Sequence, residues 1–356
     1  MQKLNNVSLL RVVATICIFF CHLVFEVFKP IGEPYWFFPL HFGVQIFMFI
    51  SGYLYGKKDI KSYKTHVKSR FTVLLVPYYI YIFILFTSFA IYDYNLINLP
   101  TFLQAILCAN LLGHDVIFIN HFWYLFYALV SYLFIPWLIA LRNHLQNKIT
   151  LSKAKVNLIK IFILSLVVLE FFGAMFTEGQ VTFTCLLIGF YFGAKGKKAE
   201  NGMLNSENTP NTLSWKADKV KIILYTLIFV AFSVLFYFVV TNQIVLPKAL
   251  DNLLLKYPTA IVGITFSILF ISAFKFMNTR KLIAPIRFFD GISYYFYITH
   301  QLFLINGTSP KAQLSFLYVT PYFALNILIS FAVTLASACI LKLISQPIIN
   351  LILKKK

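Results

Sequence analysis

An all-α integral membrane protein, a single bundle of about ten transmembrane helices, is the fold that the sequence predicts. Of its 356 residues, 60% are hydrophobic and only 12% are charged, whereas a soluble domain is about half apolar and about a quarter charged. The apolar residues also form ten runs, each near the length of about 20 residues that crosses a bilayer as a helix. These observations argue against a cytosolic enzyme, a disordered protein and a nucleic-acid-binding domain. Membrane lipid is therefore an expected partner and nucleic acid is not.

The ten apolar runs define the predicted helices in chain order, and the whole chain, 1–356, is predicted to form one transmembrane domain. The runs are 8–28, 37–56, 71–92, 121–141, 158–176, 180–195, 221–241, 257–278, 289–306 and 318–345. A further apolar stretch, 101–112, is too short to span and is predicted to lie at the interface or to re-enter. The segment 195–220 is polar and basic, which predicts a mobile cytoplasmic loop.

Basic residues set the predicted orientation of the bundle. If the N-terminus is inside, twenty-four Lys and Arg residues lie in segments on the inside of the membrane. Only four lie in segments on the outside, and these residues are Lys29, Lys248, Lys256 and Lys311. Because Lys and Arg concentrate on the cytoplasmic side of membrane proteins, both termini are predicted to be cytoplasmic. The net charge of +19 is then mostly an orientation signal and not the mark of a polyanion site.

The first span carries three ionisable residues, Arg11, His22 and Glu26, at depths where such groups are costly and usually face a cavity or a partner. At 100° per residue all three lie on one helix face, with Arg11 and His22 ~16 Å apart along the axis. Histidine can take a proton from a hydroxyl, and a carboxylate one turn away can orient it. A guanidinium binds phosphate or a polarised carbonyl. The alternative is that Arg11 extends to the interface and His22 is a hydrogen-bonded core histidine.

A basic segment, 57–70, with the sequence KKDIKSYKTHVKSR, leads into the third span. The orientation signal explains most of its charge. Lys68 and Arg70 differ from the others because they lie at the mouth of the helix. There they can hold the phosphates of a cytoplasmic cofactor.

Four further residues are candidates for binding a substrate. Trp123 and Tyr124 can line an acyl or sugar pocket, or they can belong to the aromatic belt at the membrane interface. Tyr297 and His300 share one face of the ninth span, where they can contact an acceptor or serve helix packing.

Other reactive residue types suggest no second site. The five cysteines lie in or beside apolar runs without metal-ligand spacing, at Cys17, Cys21, Cys108, Cys185 and Cys339. They are predicted to be small core residues, and no metal is expected. Glu170, in the fifth span, has no role that the sequence explains.

Five segments, in this order, resemble the signature of the acyltransferase family 3 membrane proteins. They are LLRVVATICIFFCH with Arg11 and His22, GVQIFMFISGYL at 43–54, RFTVLLVPYYIY at 70–81, HFWYLFYAL at 121–129 and GISYYFYITHQLF at 291–303. The resemblance implies transfer of an acyl group, usually acetyl from acetyl-CoA, to a hydroxyl of a cell-surface polysaccharide or lipid-linked glycan. It also implies a multi-pass protein of a bacterial cytoplasmic membrane.

Carried over by position, the resemblance makes His22 the catalytic histidine and Arg11 its essential partner. Glu26 is expected to orient His22. Arg70 corresponds to the second arginine of the family's Arg-x-Arg pair, and Lys68 stands where the family has the first. Lysine can bind a phosphate as a point charge but cannot make the bidentate fork of arginine. Transfer can be direct or pass through a covalent acyl group.

Two hypotheses from other classes stay open at this point. A transporter or flippase for a glycan or glycolipid suits ten spans and a polar first helix as well, but it predicts helices broken at the membrane midplane of two matching halves. None is clear in the sequence. A sensor or assembly scaffold, in which the intramembrane charges only lock helices together, is the third hypothesis.

Overall fold

Eleven α-helices and the short 3-10 helix that precedes the fifth of them make up most of the part of the chain that the structure describes, in which no strand occurs. The computed structural model describes residues 2–28, 40, 42–92, 99–108, 119–176, 180–203, 212–241, 246–273, 283–304 and 320–354. The helices are α1 (Gln2–Phe28), α2 (Gly43–Lys57), α3 (Tyr63–Tyr92), α4 (Leu99–Ile106), α5 (Trp123–Leu145), α6 (Lys153–Phe176), α7 (Phe183–Met203), α8 (Thr212–Val240), α9 (Lys248–Ala273), α10 (Ile283–Leu304) and α11 (Phe323–Leu353). The 3-10 helix is Asn120–Phe122. The all-α prediction is confirmed.

Each of the ten predicted spans overlaps one helix in the part of it that the structure describes. Within the described ranges, seven helices are long and apolar enough to cross a membrane, namely α1, α3, α5, α6, α8, α9 and α11. The eight-residue helix α4 lies on the apolar stretch that is too short to span. The cytoplasmic position of the termini stays a prediction.

Several helices extend beyond the apolar runs that predicted them. α3 begins at Tyr63 and α9 at Lys248, both before the apolar run starts. Charged and polar residues can continue a helix, since long basic side chains extend to the interface, so hydropathy does not mark the helix end. The predicted loop 195–220 is helical at both ends, because α7 continues to Met203 and α8 begins at Thr212. Residues 204–211 lie outside the described part, and the loop's mobility stays a prediction.

The chain divides into two compact units, the first of which comprises Met1–Ala14, Phe38–Lys61 and Ser131–Ile286. Its main contact joins α2 to α7, and glycines of both helices lie at that contact. A Cβ added to Gly52 would lie 2.0 Å from the backbone oxygen of Leu186, and one added to Gly193 would lie 2.1 Å from that of Tyr53. The two backbones therefore touch, which small residues make possible in membrane helices.

Basic side chains hydrogen-bond the backbone oxygens at two helix ends of this unit. The guanidinium of the buried Arg142, on α5, donates to the backbone oxygens of Gly56 (2.6 Å) and Lys58 (3.1 Å) at the end of α2, and it pairs with Asp59. Helix ends leave carbonyl groups without helical partners, so Arg142 satisfies those of α2. The Nζ of Lys256 donates to the Ala174 oxygen near the end of α6 (3.2 Å).

The second unit comprises Thr15–Phe37, Ser62–Val130 and Arg287–Lys356. Phe19 of α1 packs against Phe296 of α10 and Phe331 of α11, with ring centroids 5.5 and 5.4 Å away. The Tyr294 hydroxyl of α10 donates to the Leu74 oxygen of α3 at 2.8 Å. These contacts join α1, α3, α10 and α11 in one core. The prediction of a single domain over 1–356 stays a prediction.

Candidate functional site

Three histidines from distant parts of the chain meet inside the second unit. The ring centroid of His300 lies 5.0 Å from that of His22 and 4.9 Å from that of His121. We define the histidine cluster as His22, His121, Tyr297, His300 and Gln301. His121, His300 and Gln301 are each at most 3% exposed, and Tyr297 is 4% exposed. His22 is half-buried, which leaves it the most accessible imidazole of the cluster.

Local structure explains how these side chains come together. Tyr297, His300 and Gln301 have the i, i+3, i+4 spacing that shares one helix face, and all three lie on α10. His121 lies in the 3-10 helix before α5, where the Phe122 N–H bonds the Ile119 oxygen at 3.0 Å. The tight turn presents the His121 ring to α10.

Gln301 stands between two imidazoles. The amide oxygen, Oε1, lies 2.6 Å from Nδ1 of His121, and the amide nitrogen, Nε2, lies 3.2 Å from Nδ1 of His22. The second ring nitrogen of His121, Nε2, lies 3.2 Å from the backbone oxygen of Ile298. A continuous hydrogen-bonded chain therefore runs from the α10 backbone to His22.

His300 presents an open acceptor in the same cluster. Its Nδ1 donates to the Tyr297 backbone oxygen at 2.7 Å, so in the neutral ring Nε2 carries the lone pair. That Nε2 is buried and has no hydrogen-bond partner among the residues that the structure describes. Since buried polar atoms are nearly always bonded, Nε2 is a place where a substrate hydroxyl or a water can donate. The Tyr297 hydroxyl is itself used, since it donates to the His121 backbone oxygen.

The two predicted aromatic candidates have different surroundings. Tyr124 is buried, and its ring stands edge-on to Tyr297, with centroids 5.6 Å apart. Trp123 is half-buried, and its described ring contact is with Tyr127 on its own helix, at 6.0 Å. The structure thus brings Tyr124 to the edge of the histidine cluster and joins Trp123 to it by no described contact.

The charged candidates lie on α1 and α3 and differ in how far they are exposed. Arg11 is half-buried on α1. Lys68 is exposed and Arg70 is half-buried, both near the beginning of α3. Glu26 belongs to α1, and its side chain lies outside the described part of the chain.

The thiol of Cys108 is not activated as a nucleophile. All five cysteines are free, and four are buried. Burial raises the pKa of the Cys108 thiol, in the turn after α4, to about 11, so this thiol is neutral near pH 7. Among the described residues, no group of three or more His, Cys, Asp or Glu is arranged to hold a metal ion.

Two members of the cluster, His121 and Gln301, are not among the sequence-predicted site residues. Both stand within segments that carry the family resemblance, His121 at the start of HFWYLFYAL and Gln301 directly after His300. Their role depends on contacts across about 180 residues of chain, which no spacing rule connects. A polar residue within each of these two motifs was the signal present in the sequence.

A family model described as an acyltransferase domain, that of acyltransferase family 3, matches residues 4–335 of the chain. The match covers all five segments that carry the resemblance and every member of the histidine cluster. No curated protein and no solved structure shows significant similarity to the chain.

Proposed function

Because the chain belongs to acyltransferase family 3, we propose that it transfers an acyl group, acetyl in the first instance, from acyl-CoA to a hydroxyl of a cell-surface polysaccharide or lipid-linked glycan. The chain is a multi-pass membrane acyltransferase. We place it in a bacterial cytoplasmic membrane, with acetyl-CoA as the donor substrate.

The observation that carries the proposal is the accessible imidazole of His22 at the edge of a buried polar cluster. A hydroxyl is a poor nucleophile until a base removes its proton, and a positioned histidine is the commonest base for this step. His22 takes the proton as the hydroxyl oxygen bonds to the thioester carbonyl carbon. The carbon–sulfur bond then breaks, and the thiolate of CoA leaves and receives the proton from His22.

The rest of the cluster suits an acceptor with several hydroxyls. The buried Nε2 of His300 accepts a hydrogen bond from a second hydroxyl, and Tyr124 and Tyr297 supply ring faces and edges against which a sugar packs. A site built to bind hydroxyls discriminates strongly against molecules that lack them, since its polar atoms would then stay unpaired. This is why the proposal names a glycan and not an apolar alcohol.

In this proposal the basic residues bind the acyl-CoA donor. Lys68 and Arg70 bind the phosphates of CoA where α3 begins, and Arg11 interacts with the acyl-CoA arm or polarises the thioester carbonyl. Glu26 orients His22 and stabilises its charged form. Because the pair consists of Lys68 and Arg70, only one of its two side chains can bind a phosphate through a bidentate pair of hydrogen bonds.

The test is acetyl incorporation into surface glycan by cells that express the wild type, His22→Ala, Arg11→Ala or the control His144→Ala at matched membrane levels. His144 lies in the last turn of α5 and bonds the Ile149 oxygen, so its loss is expected to leave transfer intact. Acetylation by the wild type and the control, with loss in the other two variants, supports the proposal. Full acetylation by a folded His22→Ala variant contradicts it.

The same experiment separates the transporter hypothesis. A flippase would leave the glycan itself missing from the surface of the His22→Ala cells, with no acetyl difference per glycan. The broken helices that a flippase predicts are not found at the prolines of the described helices, since Pro77, Pro136, Pro258 and Pro347 lie inside continuous helices.

A further inference from the structure

A proline removes one hydrogen bond from the middle of α3, although the chain stays helical through it. Pro77 has no N–H group, so it cannot bond the Val73 oxygen one turn earlier, and its ring pushes that carbonyl aside. Prolines are the usual site of bends in helices, and neighbouring helices often supply the missing hydrogen bonds. We define residues 73–77 as the proline turn. Its direction depends on contacts with other helices.

Two tyrosine hydroxyls join this part of α3 to its neighbours. The hydroxyl of Tyr294, on α10, donates to the backbone oxygen of Leu74, inside the proline turn, at 2.8 Å. The hydroxyl of Tyr78, directly after the turn, donates to the Ala105 oxygen at the end of α4, at 2.6 Å. Tyr78 is 0% exposed, so this second bond is buried. The bond from Tyr294 connects the proline turn to the helix that carries most of the histidine cluster.

α3 and α10 run in the same direction past this contact. The Phe122 ring stands edge-on to both Tyr78 and Tyr297, with centroids 4.9 and 6.2 Å away. Tyr78 follows Leu74 by one turn of α3. Tyr297 follows Tyr294 by one turn of α10. The residues that precede Leu74 on α3 and those that follow Tyr294 on α10 therefore lie on opposite sides of the contact.

The contact stands between the two ends of the proposed donor site. Arg70 lies one turn before Leu74 on the same face of α3, about 6 Å along the axis. His300 lies about 9 Å beyond Tyr294 along α10. In acyl-CoA the phosphates and the thioester are joined by an arm of fixed covalent length. The separation between the beginning of α3 and the histidine cluster must therefore match that arm.

We propose that Tyr294 is a positioning residue that fixes the depth of Arg70 relative to the histidine cluster, so that acyl-CoA held by its phosphates presents its thioester to His22. The inference rests on the proposed function, and on its donor site in particular. Without the Tyr294 hydroxyl, the Leu74 oxygen loses its partner on α10, and the proline turn can bend in more than one direction. The phosphates still bind, but the thioester is less often in place. A misplacement of about 1 Å can lower a rate about a hundredfold.

The first test compares Tyr294→Phe with the wild type in inside-out membrane vesicles that carry their own glycan and receive radiolabelled acetyl-CoA. The kcat of Tyr294→Phe is expected to fall by about tenfold to a hundredfold, with the KM for acetyl-CoA unchanged. Tyr295→Phe is the matched control, because the neighbouring Tyr295 hydroxyl has no hydrogen bond to a described residue. It is expected to transfer at the wild-type rate. Wild-type kinetics in Tyr294→Phe, or a rise in KM alone, contradict the inference.

A truncated donor separates positioning from general damage to the site. S-acetyl-N-acetylcysteamine carries the thioester but ends before the phosphates, so it makes no use of Arg70. Tyr294→Phe and the wild type are expected to transfer acetyl from this donor at equal rates. An equal loss of rate with both donors would show that Tyr294 only supports the fold, which overturns the inference.

Hydrogen exchange gives a readout that needs no acyl transfer. In nanodiscs without donor, Tyr294→Phe is expected to raise amide exchange several-fold in residues 71–81 and to leave α9 unchanged. Tyr295→Phe is expected to exchange like the wild type in both segments. Faster exchange in a protein that transfers no acetyl would reject the proposed function and keep the contact at the proline turn. Acetyl transfer with unchanged exchange in 71–81 would keep the proposed function and reject the inference.

Discussion

Glu170, on α6, accepts hydrogen bonds from both the backbone N–H (2.9 Å) and the hydroxyl (2.5 Å) of Thr184, in the first turn of α7. Its other oxygen accepts the N–H groups of Thr182 and Phe183, both at 2.5 Å. The first N–H groups of a helix have no helical partners, and a negative charge is favourable at this end of the helix dipole. The carboxylate whose role the sequence left unexplained is the cap of α7.

Glu170→Ala is expected to destabilise the protein by about 1–3 kcal/mol, because three backbone N–H groups beside buried residues lose their acceptor. Glu170→Gln keeps one acceptor oxygen and is expected to cost less. Thermal unfolding in detergent measures both effects. Ser165→Ala, on the same helix with an exposed hydroxyl that bonds the Ile161 oxygen, is the control. Equal melting temperatures for Glu170→Ala and Ser165→Ala would contradict the capping role.

The backbone contact of α2 with α7 predicts that alanine is not tolerated at its glycines. Gly52→Ala and Gly193→Ala each place a methyl group about 2 Å from a backbone oxygen of the facing helix. The helices must separate, which is expected to cost about 1–3 kcal/mol. Gly196→Ala is the matched control on α7, because its nearest atoms belong to the Lys57 side chain, 3.5 Å away. The prediction fails if all three variants unfold at the same temperature in detergent.

Arg142→Met is expected to destabilise the protein by about 1.5–3 kcal/mol, since Arg142 is 6% exposed and its fork donates to two backbone carbonyls at the end of α2. Arg142→Lys is expected to recover part of this loss, because one ammonium cannot reproduce a planar fork. Asp59→Asn should cost much less, since the Asp59 side chain is 54% exposed and exposed ion pairs contribute little. Chemical denaturation of the three variants ranks them. A loss for Asp59→Asn as large as that for Arg142→Met would show that the ion pair, and not the carbonyl bonding, holds α2.

The helices were predictable because each span is marked by a physical signal that is local in sequence. Runs of apolar residues located ten helices and the short α4, since a bilayer imposes both length and hydropathy. Helix ends were not predictable in the same way. The beginnings of α8 and α9 depend on polar residues that continue a helix after hydropathy has fallen, and the start of α7 depends on a carboxylate from α6.

The residues of the candidate site also fall into two groups, those that a local signal predicts and those that it does not. His22, Tyr297 and His300 were predictable from positions on their own helices and from the family motifs. His121 and Gln301 were not predictable as members of the site. The sequence does not distinguish a buried histidine or glutamine that only fills the core from one that hydrogen-bonds side chains of other helices. What distinguishes them is the chain of contacts from Ile298 to His22, which exists only after α1, α10 and the 3-10 helix have come together.

The basic residues at the beginning of α3 supply the last prediction. Arg70→Gln is expected to raise the KM for acetyl-CoA about tenfold or more, since a hydrogen bond to a charged group contributes about 1.5–3 kcal/mol. Lys68→Gln is expected to raise it less, because Lys68 is exposed, and Lys68→Arg is expected to lower it by adding a second fork. Initial rates of acetyl transfer at varied acetyl-CoA, in membranes with matched protein levels, measure all three effects. Lys64→Gln, an exposed lysine in the first turn of α3, reports the nonspecific effect of removing one positive charge. If Arg70→Gln and Lys64→Gln changed the KM equally, Arg70 would be part of the orientation signal and not of the donor site.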